Sequence, residues 1–194
     1  MVLLIDCAGA RSALALIDPD RGRVQEDVRE VAPDDQLAAR IDALAAADQL
    51  TAVLVGSGPG SFSRLRSGVS FGVGLALGLR LPLLHLGSLD LQAGRARIPV
   101  RALGDAGRGR VYVLEPGAPA RLVEIDSLGP GLPLCGWVSP PTAARLQERG
   151  LDLIPPGDLA GIGESALRLL GAATRVGYDR VPIQYLSSFG RLRS

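Results

Sequence analysis

The chain has 194 residues, 47% hydrophobic and 21% charged, with a net charge of +1, so it can bury a core and is not a disordered chain. Its basic residues are all arginine, ten against eleven acids through residue 100 and eleven against nine beyond it; no basic lobe marks a nucleic-acid surface built on phosphate contacts. Without lysine there is no Walker-type phosphate lysine and no Schiff-base chemistry, and without asparagine no glycosylation sequon.

In chain order, Val2 to Ile5 is an apolar run ending on Asp6 and reads as a buried strand. Ala13 to Ile17 is a second run, followed by the turn composition Asp18-Pro19-Asp20-Arg21-Gly22. Val24 to Val31 alternates loosely, as an edge strand does; the three predict an antiparallel meander. Pro33-Asp34-Asp35 opens a helix with acids at its positive end, and Leu37, Ile41, Leu44 and Ala45 form its apolar stripe to about Ala47. Thr51 to Val55 is a buried strand. A glycine-rich turn, Gly56-Ser57-Gly58-Pro59-Gly60-Ser61, then enters a helix to about Leu79. Pro82 to Leu86 is another strand, and Gly87-Ser88 caps a short helix. Strands alternating with helices predict an α/β lobe with parallel pairing after each helix.

The second half is weaker in pattern. Ile98 to Leu103 and Arg110 to Leu114 pair across the turn Asp105 to Gly109, and Arg121 to Ile125 is a third strand. A helix follows Ser139-Pro140-Pro141, and a last one is expected over Leu159 to Ala173. The lobes divide as 1–97 and 98–194. Cys7 and Cys135 are far apart, without metal spacing, and read as buried free thiols. No basic segment precedes the first strand, so no secretory signal and a cytoplasmic location are expected. Val69 to Leu89 is apolar over a membrane-like length, but Arg80, Pro82 and His85 interrupt it; a buried helix followed by a buried strand accounts for it.

The segment from Gly56 to Leu79 carries most of the information. A glycine turn between strand and helix can cradle an anion with its amides, but this one has no lysine and lacks the G-x-G-x-x-G spacing. Asp6, Gly58 and Gly60 are the weak candidates for nucleotide. On the helix that follows, Ser67, Ser70, Gly74 and Gly78 form a stripe of small residues, with Phe71 beside it. Gly68, Gly72, Gly74 and Gly78 each cost roughly 1 kcal/mol in a helix interior, and close packing is the usual compensation. The pattern alone leaves open whether that packing is against a partner or against the chain's own sheet.

The run Val55-Gly56-Ser57-Gly58-Pro59-Gly60-Ser61-Phe62-Ser63-Arg64-Leu65-Arg66-Ser67-Gly68-Val69 closely resembles the G-P-G-S-F-T-G-L-R-I-G-V signature of the TsaB (YeaZ) family. The resemblance continues through Gly78, Pro82 and Gly87-Ser88-Leu89. It is weaker at Val2 to Asp6, at Asp105-Ala106 with Arg110-Val111-Tyr112, and at Pro182-Ile183-Gln184-Tyr185-Leu186. Arg64 stands where the family has Gly, Ser63 where it has Thr, and Ser187 where it has Arg. Cys7-Ala8 replaces a Thr-Ser pair and removes hydroxyls from what would be a phosphate loop.

The resemblance implies an actin/Hsp70-like (ribonuclease H-like) α/β fold of two lobes, each a mixed sheet with flanking helices. It also implies a non-catalytic scaffold or dimerization subunit of the complex that adds threonylcarbamoyl to adenosine beside the tRNA anticodon. Its partners would be a TsaD-type catalytic subunit, a second copy in isolation, a TsaE-type ATPase as third component, and tRNA indirectly, with ATP only in the complex. The implied partner surface comprises Leu37, Ile41, Ser67, Ser70, Phe71, Gly74 and Gly78. The metal pair H-x-x-x-H of TsaD cannot be built here, because His85 is the single histidine. Two rival functions are a glycoprotease-like hydrolase using Ser57, Ser61 or Ser63, which lacks an evident base, and a nucleotide switch in which Asp6 and the glycine loop hold phosphate and Mg²⁺.

Overall fold

A computed structural model describes residues 1–30, 36–44 and 49–186. Its first sheet begins with the expected meander, β1 (Val2–Asp6), β2 (Arg11–Asp18) and β3 (Arg23–Glu30), paired antiparallel in register from Val2↔Ile17 and from Arg11↔Glu30. Helix α1 (Leu37–Leu44) leads to β4 (Ala52–Gly56), which pairs parallel with β1. Helix α2 (Phe62–Gly78) leads to β5 (Leu83–Leu86), parallel to β4, and α3 (Ser88–Ala93) follows. The second sheet holds β6 (Arg101–Gly107), β7 (Arg110–Leu114) and β8 (Arg121–Glu124) as an antiparallel meander, with β9 (Leu134–Cys135) parallel to β6. Then come α4 (Pro140–Glu148), α5 (Ile162–Leu169) and β10 (Thr174–Val176).

β10 pairs antiparallel with β5, so the first sheet has the order β10-β5-β4-β1-β2-β3. The division at 97/98 therefore does not follow the sheets: the second sheet lies wholly beyond it, but β10 and α5 return to the first lobe. Glu26 on β3 accepts the Gly163 amide at 2.9 Å, placing a carboxylate at the positive end of α5.

β1 and β4 are buried on both faces, which accounts for their unbroken apolar runs. One face carries Leu3, Ile5, Val53 and Val55 under Ile41 and Leu44 of α1 and Leu65, Val69 and Ala76 of α2. The other carries Leu4, Ala15 and Leu54 under Leu91, Ile162 and Ala166. A third cluster, including Leu103, Val113, Leu134 and Leu146, forms the core of the second sheet. α1 is pinned by buried Arg40, whose Nε donates to Asp27 Oδ2 at 2.9 Å and whose Nη1 donates to Ser12 Oγ at 2.6 Å. Burial pushes the Asp27 carboxyl up, but its bonds from Arg40 and Arg29 outweigh this and hold it below the usual range.

Three expectations shift. β6 starts at Arg101, not at Ile98, because Pro99 has no amide to give a ladder and Ile98 stays exposed. The last helix starts at Ile162, not at Leu159, after a short 3-10 turn at Pro156–Asp158 and a break at Gly161. β9 and β10, two and three residues long, were not expected. Val31, Pro33 to Asp35, Ala45 and Ala47 lie outside the described residues. Cys7 and Cys135 are both buried and form no disulfide. Among the described residues no helix is long and apolar enough to cross a membrane.

The four α2 glycines separate into two pairs. A Cβ on Gly68 would lie 2.9 Å from Cys7 Cβ, and one on Gly72 would collide with Val55 Cγ1, so these two let the helix settle onto β1 and β4. At Gly74 and Gly78 a Cβ would meet nothing within 4 Å. Gly72→Ala should therefore lose about 1–3 kcal/mol by overpacking, whereas Gly74→Ala should gain up to about 1 kcal/mol in helix propensity. Denaturant midpoints at unchanged m-value measure both.

Candidate functional site

The chain's motifs converge where β1, β4 and β5 end. Asp6, at the tip of β1, is buried; its Oδ1 accepts the Ala8 amide and the Ser88 hydroxyl, each at 3.0 Å. Gly56 ends β4 beside it, and a Cβ there would lie 2.5 Å from Asp6 Cγ. The glycine turn then folds onto its neighbours. Ser57 directs both its amide (2.8 Å) and its hydroxyl (3.0 Å) to the Leu86 carbonyl. The Gly58 amide donates to Ser88 Oγ at 3.0 Å, and the Ser88 amide returns to the Gly58 carbonyl at 2.8 Å. The Ser61 amide reaches the Ala8 carbonyl at 2.9 Å. Gly58 has φ +91°, which only glycine adopts readily.

These contacts change what the turn can do chemically. The Ser57, Gly58 and Ser61 amides of the turn are bonded to protein, and burial pushes the Asp6 carboxyl above its usual range despite the bonds from Ala8 and Ser88. The space over Asp6, bounded by Gly60, Ser88, Asp105 and Trp137, amounts to about 10 Å³, roughly the room one water needs. Asp6, Gly58 and Gly60 are thus brought together, as a packed joint. Among the described residues no three His, Cys, Asp or Glu side chains are grouped to hold a metal.

Sequence reasoning missed one pairing. His85 Nδ1 lies 3.3 Å from Ser57 Oγ, because β4 and β5 pair in register at Val55↔His85 and Gly56↔Leu86. The register was the only signal available, and it is tertiary. Ser57 is 1% exposed and its hydroxyl is committed to Leu86, so no substrate carbonyl can approach it. Burial pushes the His85 imidazole below its ordinary value. Ser61 and Ser63 do not share that histidine.

On α2, Ser67, Ser70, Gly74 and Gly78 are all exposed along one face, with Leu77 at 56% exposure beside them. Phe71 and Leu37 are partly buried against the first core cluster. Ile41 is 5% exposed and belongs to that core, so it supports the surface from behind and cannot meet a partner. Arg64 is partly buried, and Ser187 lies outside the described residues.

The raised Asp6 value sets a pH dependence. A carboxyl whose folded value exceeds its unfolded value stabilises the fold fully below the unfolded value near 3.8, and this contribution is lost as pH rises through the folded value. Asp6→Asn keeps an acceptor for Ala8 and Ser88 and cannot ionise. Its melting temperature relative to the parent should therefore rise between about pH 4 and pH 7; thermal melts across that range measure it.

Residues 37–126 match the family model described as TsaD, tRNA N6-adenosine threonylcarbamoyltransferase. YeaZ from Pseudomonas aeruginosa superposes with a TM-score of 0.71 at 19% identity, over 95% of this chain and 99% of that one. An uncharacterized protein with similarity to peptidase YEAZ from Pseudomonas aeruginosa gives 0.69 at 20% identity, over 96% and 99%. No curated protein matches the sequence. The matched segment contains α1, the glycine turn, α2 and the β6–β7 hairpin, in agreement with the resemblance carried by residues 55–89. Over nearly its whole length the chain shares the α/β fold of these two YeaZ-like structures, a fold of the ribonuclease H-like kind, and residues 37–126 match the TsaD family model.

Proposed function

We propose that the chain is a TsaB-type subunit of the machinery that places threonylcarbamoyl on tRNA adenosine, acting as a non-catalytic scaffold for a TsaD-type catalytic subunit. The observation that carries this is the open half of α2. Gly74 costs roughly 1 kcal/mol in the helix interior, and no described residue lies within 4 Å of a Cβ built there or on Gly78, the last residue of the helix. Gly68 and Gly72 offset the same cost by packing on the sheet; Gly74 offsets it when another backbone comes close, with Gly78 leaving the same approach open. Ser67 and Ser70 extend the side-chain-poor strip, and exposed Leu77 adds apolar area to bury. In isolation the same face serves a second copy; in the complex it serves the TsaD-type subunit, with a TsaE-type ATPase as third component and tRNA reached through the assembly, in the cytoplasm.

The chemistry at the strand ends supports a role without catalysis. The Ser57–His85 contact is closed to substrate, and the Ser57, Gly58 and Ser61 amides of the turn are bonded internally. The nucleotide-switch reading is the weaker one, since about 10 Å³ over Asp6 accommodates no phosphate. Peptide and ATP hydrolysis by the purified chain should stay at background, and Ser57→Ala should leave that background unchanged; a turnover removed by Ser57→Ala or Ser61→Ala would overturn the assignment.

Gly74→Leu tests the surface directly. The variant should fold and melt at or above the parent's temperature, because its side chain enters open space. Its pairing with a TsaD-type subunit should weaken tenfold or more, as an inserted side chain forces the helices apart at about 1–3 kcal/mol. A thermal melt and a calorimetric titration on the same preparation read the two quantities. A folded variant that pairs normally would move the interface elsewhere.

A further inference from the structure

A cavity of about 660 Å³ opens beside the start of α2, bounded by Gly60 to Phe62, Arg64, the end of β6 at Asp105 to Gly107, Tyr112, and Tyr185–Leu186. It is distinct from the filled space over Asp6, and its volume lies in the range of small-molecule sites. Its walls are aromatic. Phe62 and Tyr185 pair at 5.2 Å between centroids and are 55% and 43% exposed. The Arg66 guanidinium sits 3.9 Å over the Phe62 ring, and its Nε donates to the Tyr185 hydroxyl at 2.8 Å. Aromatic rings braced by arginine form a stacking surface for a flat ring.

The polar groups fix a second element. Arg64 lines the cavity, and its buried Nε has no hydrogen-bond partner among the described residues, which is unfavourable for a donor. The first amides of α2 at Phe62, Ser63 and Arg64 have no acceptor within the helix. Positive potential therefore gathers at the α2 side of the cavity. Asp105, also at the cavity wall, accepts the Ser139 amide and repels a second anion. This polarity sets the orientation of a bound molecule.

We propose that this cavity binds an organic anion made of a flat ring and one phosphate or carboxylate group, the ring against Phe62 and Tyr185 and the anionic group at Arg64 and the start of α2. Such chemistry occurs both in a free mononucleotide and in one nucleotide of a single-stranded RNA. The inference does not depend on the exposed strip of Gly74 and Gly78.

The test uses the full chain, titrated calorimetrically with phenyl phosphate, AMP, a single-stranded RNA tetramer and inorganic phosphate. Phenyl phosphate or AMP should bind at sub-millimolar concentration and inorganic phosphate at least tenfold more weakly. Arg64→Gln should lower affinity for the ring-bearing anions tenfold or more. Phe62→Ala, at a side chain more than half exposed, should lower it severalfold at an unchanged melting temperature. Tighter binding of the tetramer than of AMP would assign the site to RNA, and the reverse to a free metabolite. Absence of binding by every ring-bearing probe, undiminished affinity in a folded Arg64→Gln chain, or equal affinity for inorganic phosphate would each overturn the proposal.

Discussion

The seating of α2 on the first sheet governs the rest of the molecule. Gly68 and Gly72 bring its backbone against Cys7 on one side and Val55 on the other, closer than any side chain would permit. Once the helix lies that deep, Leu65, Val69 and Ala76 reach the layer of Ile5 and Val55. The small residues on its other side are left outermost. Its start is fixed by the same contact, since the Ser61 amide reaches the Ala8 carbonyl just beyond β1. The buried face, the open strip and the position of the aromatic cavity thus have one cause.

A glycine turn between strand and helix commonly presents its amides to an anion. Here Ser88 occupies that role. Its hydroxyl accepts from Gly58 and donates to Asp6, and its amide returns to Gly58, so α3 is tied to β1 and to the turn through one side chain. The result is a rigid joint at the mouth of the first sheet, with Trp137 and Leu103 of the second half filling the space over it. About 10 Å³ remains over Asp6, too little for a phosphate.

The second half is held to the first by chain return as much as by contact between lobes. α5 lies on β2 and β3 with Glu26 at its amino end, and β10 closes the sheet edge beside β5. The Gln184 amide then reaches the Ser57 carbonyl at 2.9 Å, so the end of the described chain is bonded to the glycine turn near its middle. Tyr185 is thereby placed against Phe62.

Much of this was legible in the sequence. The buried strands, the meander, the helix after the glycine turn and the stripe Ser67, Ser70, Gly74 and Gly78 follow from periodicities of two and 3.6 residues, which are local properties. The composition likewise removes lysine chemistry and a histidine-based metal pair. Tertiary structure decided the questions that depend on neighbours distant in sequence. It separated Gly68 and Gly72, covered by the sheet, from Gly74 and Gly78, which are not. It set His85 against Ser57, buried Ile41, and returned β10 to the first sheet. A periodicity states which residues share a face. What covers that face depends on strand order and register, and those are fixed by pairing between segments that no local pattern records.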